Sequence, residues 1–340
     1  MKTEIRYYAE WELDGPILLA LPHDESDWNY ILPEAIDQYR RILTALEEGG
    51  EKIWLIVKDK VLAEKTLCDL QLDNTRFIEI ETNDTWTRDY GPIIVERHER
   101  IRALDFGFNG WGLKFASNRD NLVNLHLTEK GFISKDSYRN RRDFILEGGS
   151  IETDGKGTLM TTSKCLLSPN RNGGKNKIEI GEVLTKELGV DHILWLDYGA
   201  LLGDDTDSHI DTLCRFGRDN TILFTGCRDM DDPQFEELLK MRAQLTLFRN
   251  KIGEQYNLIE LPLPDAIYDE EGQRLPATYA NYLITPRAIY MPVYNQPQKD
   301  SLALQTIRIA FPEKKVIPVD CTTLIKQHGS LHCSTITLNH

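Results

Sequence analysis

The chain has 340 residues, enough for one large domain or two ordinary ones with a substantial buried core, so neither a metal nor a disulfide is needed for stability. Its formal charge of −14 argues against nucleic acid or an anionic membrane as the main partner and favours the attraction of a small cation. The first residues lack the apolar core of a signal peptide, and no apolar run approaches the length of a membrane span. We therefore expect a cytoplasmic protein.

The six cysteines are scattered along the chain, with no C-x-x-C or metal-ligand spacing. They are Cys68, Cys165, Cys214, Cys227, Cys321 and Cys333. This pattern predicts reduced thiols in a reducing compartment and no metal site.

The first part of the chain alternates apolar runs of strand length with helical patterns. The predicted elements are a strand at 17–21, a helix at 33–46, a strand at 52–57, a helix at 61–70 and a strand at 76–82. The first helix opens with a proline and ends before two glycines, as helices often do.

A unit of hairpin, helix and single strand then recurs four times, at intervals of about 60 to 70 residues. The hairpins are predicted at 93–108, 150–163, 210–225 and 282–294, each with a turn signal in its middle. The helices are predicted at 119–130, 176–188, 232–249 and 300–310, and the single strands at 144–146, 192–196, 258–261 and 316–319. The repetition is one of architecture rather than of sequence.

A fifth copy of the unit requires the strand at 334–339 to pair with the strand at 17–21, which would close a ring. Repeated β-rich units around an axis bury their sheet edges against their neighbours. We therefore expect a single domain spanning residues 1–340, with a five-bladed pseudo-symmetric α/β propeller built from ββαβ units. The same alternation also fits an ordinary open α/β sheet.

Polar residues fall at equivalent junctions of this repeat, between a single strand and the next hairpin. The junctions are 83–92, 147–149, 203–211 and 328–333. In a radial arrangement the side chains that face one cavity would be Asp89, Glu147, His209, Asp211 and Cys333. The junction at 264–281 carries no comparable set, and we expect it to shape or cover the cavity.

Cys333 lies where a glycine-containing loop becomes a strand, which leaves a thiol reachable and fixed in direction. Considered alone, a cysteine near a chain end is more often a buried small hydrophobe. His209 and Asp211 flank the apolar Ile210, and at the start of a strand they would share one side. A surface pair on a half-buried strand fits that pattern equally well.

Other chemistries find little support in the sequence. The acidic run Asp204, Asp205 and Asp207 lacks the ligand spacing and the final glutamate of an EF-hand loop. No glycine-rich phosphate-binding motif occurs, which argues against a nucleotide-dependent enzyme.

The junction segments resemble the ordered motifs of the agmatine deiminase family, which belongs with the bacterial-type peptidylarginine deiminases of the guanidino-group-modifying (pentein) superfamily. The matching segments are 9–12, 22–28, 86–92, 108–114, 147–150, 203–211 and 332–333. The resemblance covers nearly the whole chain. It implies the five-bladed α/β propeller and a hydrolase that needs neither a cofactor nor a metal.

The resemblance also implies a catalytic role for each of the five junction residues. Asp89 and Asp211 match the carboxylates that grip a guanidinium in its own plane through charge-assisted hydrogen bonds. Cys333 matches the nucleophile that attacks the central carbon, and His209 matches the general acid and base. Glu147 matches the acid that supports the histidine and the guanidinium. The products are a ureido group and ammonia.

Aromatic side chains are expected to wall the aliphatic part of the substrate. The substrate-binding set comprises Trp28, Trp86 and Trp111 together with Asp205, although core packing explains any single tryptophan as well. The sequence departs from the family pattern in the loops around 110–113, 207–208 and 328–331. These loops shape the far end of the substrate.

We predict hydrolysis of agmatine to N-carbamoylputrescine and ammonia, a step towards putrescine. The alternatives are deimination of free or peptidyl arginine, where a basic residue should hold a free α-carboxylate, and amidino transfer to an amine acceptor. A non-catalytic guanidine-binding relative is a further alternative, but binding alone needs no nucleophile. The expected partner is a small cationic guanidino compound, and the sequence leaves the oligomeric state open, including a homo-oligomer.

Overall fold

The computed structural model describes residues 5–339 of the chain. The strands are β1 (Ile5–Tyr7), β2 (Ile17–Ala20), β3 (Ile53–Val57), β4 (Thr75–Glu79), β5 (Ile93–Arg97), β6 (Arg100–Gly107), β7 (Tyr138–Ile145), β8 (Ile151–Thr153), β9 (Thr158–Thr162), β10 (His192–Leu196), β11 (Cys214–Gly217), β12 (Thr221–Gly226), β13 (Asn257–Pro262), β14 (Leu283–Ile284), β15 (Ala288–Val293), β16 (Lys315–Asp320) and β17 (Ile336–Thr337).

Helices connect these strands. The α-helices are α1 (Leu32–Glu48), α2 (Lys60–Thr66), α3 (Thr87–Tyr90), α4 (Gly110–Leu113), α5 (Val123–Glu129), α6 (Ser163–Leu166), α7 (Pro169–Asn172), α8 (Lys177–Leu188), α9 (Phe235–Leu245) and α10 (Pro297–Ala310). The 3-10 turns are Glu10–Glu12, Asp27–Ile31, Asp120–Leu122, Gly148–Ser150, Ile210–Thr212 and Leu324–Gln327. Among residues 5–339, no helix combines the length and the apolar composition that a bilayer crossing requires.

Within the described residues the strands form five separate mixed sheets, so the fold is of the α/β class. Their strand orders are β1-β5-β6-β7, β8-β9-β10, β11-β12-β13, β14-β15-β16 and β17-β2-β3-β4. Every sheet contains an antiparallel pair followed by a parallel strand, as in β8-β9-β10 and β11-β12-β13. The recurring unit predicted from the sequence is therefore present.

The fifth sheet joins the two ends of the described chain. Ile336 pairs with Leu18, and Thr337 pairs with Ile17, in an antiparallel register. The backbone N–H of Gly15 also donates to the carbonyl of Leu338 at 3.1 Å. The predicted pairing of these segments is confirmed, although β17 contains two residues rather than the six expected.

The third predicted hairpin begins later than expected. Residues 210–212 form a 3-10 turn, and the first strand of the hairpin begins at Cys214. The turn is closed by the N–H of Leu213, which donates to the Ile210 carbonyl, and by the Thr212 hydroxyl, which donates to the His209 carbonyl at 2.9 Å. The prediction that His209 and Asp211 share one side of a strand is therefore wrong.

Candidate active site

The five junction side chains are all buried, at the ends of elements from different sheets. Asp89 lies in α3, Glu147 precedes the 3-10 turn before β8, and Cys333 lies shortly before β17. His209 and Asp211 lie at the 3-10 turn before β11. Each functional group is thus positioned by the short turn that leads into a strand.

His209 lies between two carboxylates. Its Nδ1 is 3.5 Å from Asp89 Oδ1, and its Nε2 is 3.9 Å from Glu147 Oε2. Burial alone would lower the pKa of His209, but the charge of Asp89, followed by the neighbouring Cys165 and Glu147, raises that pKa well above its ordinary value. The raised pKa favours the protonated imidazole, which can donate a proton.

Asp89 is oriented by two donors. Trp111 Nε1 donates to Asp89 Oδ2 at 2.9 Å, and the Gly149 N–H donates to Asp89 Oδ1 at 2.9 Å. Burial raises the pKa of Asp89, with the charge of His209 acting in the opposite direction. The carboxyl group would gain from a cationic ligand, because a positive charge beside it stabilises its ionised form.

Asn281 connects the nucleophile candidate with Asp211. The Cys333 N–H donates to Asn281 Oδ1 at 3.2 Å, and Cys333 Sγ lies 3.4 Å from that same oxygen. Asn281 Nδ2 donates to Asp211 Oδ2 at 3.3 Å. The junction at 264–281 therefore supplies a polar group to the site as well as shaping it. Sequence reasoning missed Asn281 because it searched this junction for a cluster of titratable residues.

The thiol of Cys333 lies 3.8 Å from Asp211 Oδ2 and is 7% exposed. Burial raises the pKa of Cys333 well above its ordinary value, and the negative charges of Asp211 and Asp89 raise it further. The cysteine is therefore a neutral thiol without a ligand. A bound cation would offset both carboxylates and favour the thiolate.

The two carboxylate oxygens of Asp211 differ in their hydrogen bonding. Its Oδ2 accepts from His332 Nδ1 at 2.7 Å, whereas Oδ1 is buried and has no hydrogen-bond partner within residues 5–339. Burial would raise the pKa of Asp211, but the hydrogen bond and charge of His332 hold it below its ordinary value. Asp211 thus presents an ionised oxygen that can accept a hydrogen bond.

Arg171 holds Glu147 from the side away from His209. Its Nε lies 3.0 and 2.9 Å from the two carboxylate oxygens of Glu147, and its Nη1 contacts Asp207 Oδ2 at 2.6 Å. Burial would raise the pKa of Glu147, but His209 and Arg171 hold it below its ordinary value. Arg171 was not predicted as a site residue; the arginine in the turn-rich segment 168–174 was the available signal.

A pocket leads from the surface to Asp89 and Cys333. Its wall includes the aromatic rings of Trp86, Trp111 and Phe115. Gly329 packs against Trp86: a Cβ at that position would lie 2.3 Å from the indole ring. A side chain there would displace the ring, so the glycine keeps the aromatic wall in place.

The lining of this pocket is acidic. It includes Asp27, Asp84 and Asp205, and among its described lining residues His328 is the basic one, with no lysine or arginine. Burial raises the pKa of Asp84 to about 7 and that of Asp205 to about 6, so Asp84 is only about half ionised at neutral pH, and a cation beside either group would favour its ionised form.

Of the predicted substrate-binding residues, Trp86, Trp111 and Asp205 line the pocket. Trp28 is 0% exposed and packs against Trp86, with ring centroids 5.8 Å apart. Its indole N–H donates to Thr85 Oγ1 at 3.0 Å. The structure therefore places Trp28 behind the wall that Trp86 forms.

The side chains that could hold a metal ion together are Glu147, Cys165 and His209, whose potential ligand atoms lie within 4.8 Å of one another. Arg171 already binds both oxygens of Glu147. A metal ion there would have to displace this guanidinium, so the donor set fits an internal ion pair better than a metal site.

Comparison with known proteins places the chain among guanidine-modifying enzymes. A family profile for Porphyromonas-type peptidyl-arginine deiminase matches residues 6–338. The “Putative agmatine deiminase” of Shewanella sp. (strain MR-4) is 32% identical over 353 residues, which cover 96% of this chain and 92% of the relative.

Two solved structures are similar over almost the whole chain. A “putative peptidyl-arginine deiminase” is 44% identical, with a TM-score of 0.95 and 100% of each chain covered. A cysteine-to-serine variant of C. jejuni agmatine deiminase with substrate bound is 39% identical, with a TM-score of 0.91 and coverage of 99% of this chain and 96% of that one.

A dimethylarginine dimethylaminohydrolase is 14% identical with a TM-score of 0.54, which shows a similar fold. The resemblance inferred from the sequence motifs is confirmed by the family profile and by these relatives. The chain belongs to the Porphyromonas-type peptidyl-arginine deiminase family, and it is a hydrolase that acts on carbon–nitrogen bonds of linear amidines.

Proposed function

We propose that this protein hydrolyses agmatine to N-carbamoylputrescine and ammonia through a covalent intermediate on Cys333. The observation that carries the proposal is the position of the Cys333 thiol, 3.8 Å from Asp211 at the inner end of an acidic, aromatic pocket. A guanidinium is planar and cationic, and paired carboxylates are the groups that bind it best.

Asp89 and Asp211 are the proposed guanidinium ligands. Both are buried, and the unpartnered Oδ1 of Asp211 would accept from one nitrogen of the substrate. The positive charge of the guanidinium would offset the two carboxylates that raise the pKa of Cys333. Substrate binding would therefore favour the thiolate form of Cys333, and the proton that the thiol loses to solvent is the one that converts the released ammonia to ammonium.

In the first step the Cys333 sulfur bonds to the central guanidinium carbon. Protonated His209 donates its proton to a terminal nitrogen, and the carbon–nitrogen bond breaks to release ammonia. The enzyme then carries an amidino group on sulfur. Glu147 supports the cationic form of His209 from 3.9 Å.

In the second step neutral His209 accepts a proton from water, and the resulting hydroxide attacks the same carbon. The carbon–sulfur bond breaks, the Cys333 sulfur leaves and takes the proton of the new hydroxyl group to become a thiol again, and the substrate carbon retains the oxygen as a ureido group. The sum is one guanidinium plus one water giving one urea derivative plus one ammonium ion. We propose no cofactor or metal for this sequence of steps.

The charge of the pocket around the far end of the substrate favours agmatine over arginine. Free arginine carries an α-carboxylate, which would meet a pocket lined by Asp27, Asp84 and Asp205, with no lysine or arginine among the described lining residues. Agmatine carries an ammonium at the corresponding end, which those carboxylates would attract. The C. jejuni relative is named an agmatine deiminase, which supports the same assignment.

We further propose that the protein is one domain and that its five sheets surround the site as the blades of a propeller. The common strand order of the sheets and the pairing of β17 with β2 support this arrangement. The acidic pocket supports a small cationic guanidino compound as the partner. A role towards putrescine follows from the product and fits a cytoplasmic location.

The test is ammonia release from a panel of agmatine, arginine and an arginyl peptide. We expect turnover of agmatine without an added amine acceptor, at least 100-fold slower turnover of the two arginine substrates, and no turnover by the Cys333→Ala variant, which lacks the nucleophile. The control is Cys68→Ser, since Cys68 is exposed and its substitution should change nothing.

Each alternative function has its own outcome in this panel. Faster turnover of arginine or of the peptide than of agmatine would show that arginine or the peptide, rather than agmatine, is the substrate. Release of the diamine instead of ammonia, dependent on an added amine acceptor, would indicate amidino transfer. Guanidine binding without turnover would indicate a binding protein, and unchanged turnover by Cys333→Ala would eliminate the covalent mechanism.

A further inference from the structure

His332 lies between two buried carboxylates. Its Nδ1 is 2.7 Å from Asp211 Oδ2, and its Nε2 is 2.8 Å from Glu10 Oε1. Carboxylates accept hydrogen bonds but do not donate them, so each ring nitrogen must donate. An imidazole that donates from both nitrogens carries a positive charge.

We propose that Glu10 and His332 form a positioning pair for Asp211, in which His332 is a cation that holds Asp211 Oδ2 and leaves Oδ1 for the guanidinium. The inference rests on the proposed function, because Asp211 is assigned there as a guanidinium ligand. His332 is a positioning residue rather than a catalytic one: it acts on the substrate through Asp211.

Glu10 is itself fixed by three further donors. Arg88 Nη2 donates to Oε1 at 2.5 Å, Arg215 Nη2 donates to Oε2 at 2.7 Å, and the Ile284 N–H donates to Oε2 at 3.0 Å. Glu10 is 8% exposed, so these bonds replace its hydration. A carboxylate held this firmly can fix the orientation of the ring that donates to it.

The charges in this cluster balance. Three cationic side chains, His332, Arg88 and Arg215, face three carboxylates: Glu10 and Asp211 on either side of the imidazole, and Glu152, whose Oε2 contacts Arg215 Nε at 3.0 Å. Without the imidazolium, the cluster would hold an uncompensated negative charge in a buried region. The positive charge of His332 therefore stabilises the buried cluster, in addition to the two hydrogen bonds that the ring donates.

Two further groups interact with Asp211 besides His332. Asn281 donates to Asp211 Oδ2 at 3.3 Å, and the charge of His209 also favours the ionised form of Asp211. Asp89 and the Cys333 thiol are the remaining titratable neighbours. Neither His209 nor Asn281 contacts Glu10 in the described hydrogen bonds, so the Glu10–His332 pair can be tested separately from them.

The pair also reaches the nucleophile through the backbone. The His332 N–H donates to the Asn281 carbonyl at 3.2 Å, and the His332 carbonyl accepts from Arg88 Nε at 3.4 Å. Cys333 is the next residue. Backbone contacts of His332 therefore fix the peptide from which the thiol extends.

Substitutions of His332 by asparagine and by glutamine separate its hydrogen bond to Asp211 from its hydrogen bond to Glu10. In His332→Asn the amide nitrogen lies near the place of Nδ1, so a neutral donor to Asp211 is kept and the bond to Glu10 is lost. In His332→Gln the amide reaches the place of Nε2, so the bond to Glu10 is kept and Asp211 loses its donor. Both variants lose the positive charge.

We expect kcat/KM for agmatine to fall about 100-fold in His332→Gln and about 10-fold in His332→Asn, which are typical losses for a partner that orients a ligand-binding group. In both variants the acid limb of the pH profile of kcat/KM should move to higher pH, because Asp211 loses the cation that favours its ionised form. Circular dichroism would show whether each variant is folded.

A purely structural role for His332 would lower the melting temperature and leave the acid limb where it is. An acid limb at the wild-type pH in folded His332→Gln and His332→Asn would therefore overturn the inference. Equal losses in kcat/KM for the two variants would also contradict it, because the retained donor to Asp211 would then have no effect.

A measurement on the unsubstituted protein covers the case in which both variants fail to fold. In protein labelled with ¹⁵N at histidine, both ring nitrogens of His332 should give signals of protonated nitrogen, one for each of the two carboxylates that they face. A neutral ring with one protonated nitrogen would overturn the inference. If the wild-type protein releases no ammonia from any guanidine, the proposed function fails, while the ¹⁵N spectrum still decides the state of the pair.

Discussion

Gly149 lies where three polar side chains of the site meet. A Cβ at this position would be 2.7 Å from Asp89 Oδ1, 2.7 Å from His209 Nδ1 and 3.2 Å from Asp211 Oδ2. Contacts below 3 Å between a carbon and these atoms are repulsive, so any side chain would push them apart. The close approach of the proposed guanidinium ligands Asp89 and Asp211 and the proposed general acid His209 therefore requires glycine.

We expect Gly149→Ala to lower kcat/KM at least 100-fold, because a displacement of about 1 Å at catalytic groups has that effect. The matched control is Gly181→Ala in α8, where the added Cβ would meet Ile193 at an ordinary 3.5 Å. That variant should keep full activity and gain about 0.5 to 1 kcal/mol of stability. Steady-state kinetics and thermal unfolding measure both effects; full activity in Gly149→Ala would contradict the steric argument.

At the scale of elements, α7 connects the loop at 203–208 with Glu147, the acid that is proposed to support His209. Arg171 extends from this four-residue helix to Glu147, to Asp207 and, through Nη2, to the Thr206 carbonyl at 2.8 Å. Lys114, the residue that follows α4, contacts Asp207 Oδ1 through its Nζ at 2.8 Å. One arginine thus fixes the loop that precedes His209.

We expect Arg171→Met to destabilise the protein by about 3 to 5 kcal/mol, because it leaves buried Glu147 without its partner. Arg171→Lys should retain the charge but lose the fork geometry, with a smaller loss of stability and of kcat. Arg228→Lys is the control, since Arg228 is 83% exposed and its pair with Glu260 should contribute at most about 1 kcal/mol. Urea unfolding compares the three, and equal losses for Arg171→Met and Arg228→Lys would contradict the prediction.

The elements show where sequence reasoning succeeds. Periodicity and turn residues are local properties, and they located the hairpins at 93–108 and 150–163 and the helix at 176–188. The turn at 210–212 was missed because its closing bonds, including that of the Thr212 hydroxyl, leave no period in the sequence. Local patterns therefore predict elements better than the turns that present the functional groups.

For the whole molecule, the two ends of the described chain stabilise each other. Ile336 is 5% exposed and Leu338 is 3% exposed, and both lie against the segment that contains β2. The pairing of β17 with β2 also covers an edge that would otherwise be open to other chains. The end of the chain is thus part of the structural core.

Deletion of residues 336–340 should cost about 3 to 6 kcal/mol, since it removes two buried aliphatic side chains worth about 1.5 to 3 kcal/mol each. It should also abolish activity, because the strand after Cys333 would be lost. Deletion of residues 339–340 alone retains β17 and Leu338 and serves as the control. Thermal unfolding and ammonia release measure the effects, and equal stability of the two truncated chains would show that β17 contributes nothing.

Long-range contacts explain what the sequence could not predict about the site. The junction residues were found because each follows a strand, whereas Glu10 lies in an N-terminal turn and contacts His332 across 322 positions. Asn281 and Arg171 were missed because their roles depend on which groups the fold brings beside them. A single sequence carries no signal for such pairings, although it does identify the residue types from which they are built.

The separation of Glu10 and His332 also bears on how the protein is made. A ribosome synthesises Glu10 early and His332 322 residues later, so Asp211 lacks its imidazolium partner throughout most of translation. Cys333 is added directly after His332. A nascent chain therefore has no complete candidate site until Cys333 and β17, the strand that follows it, have left the ribosome.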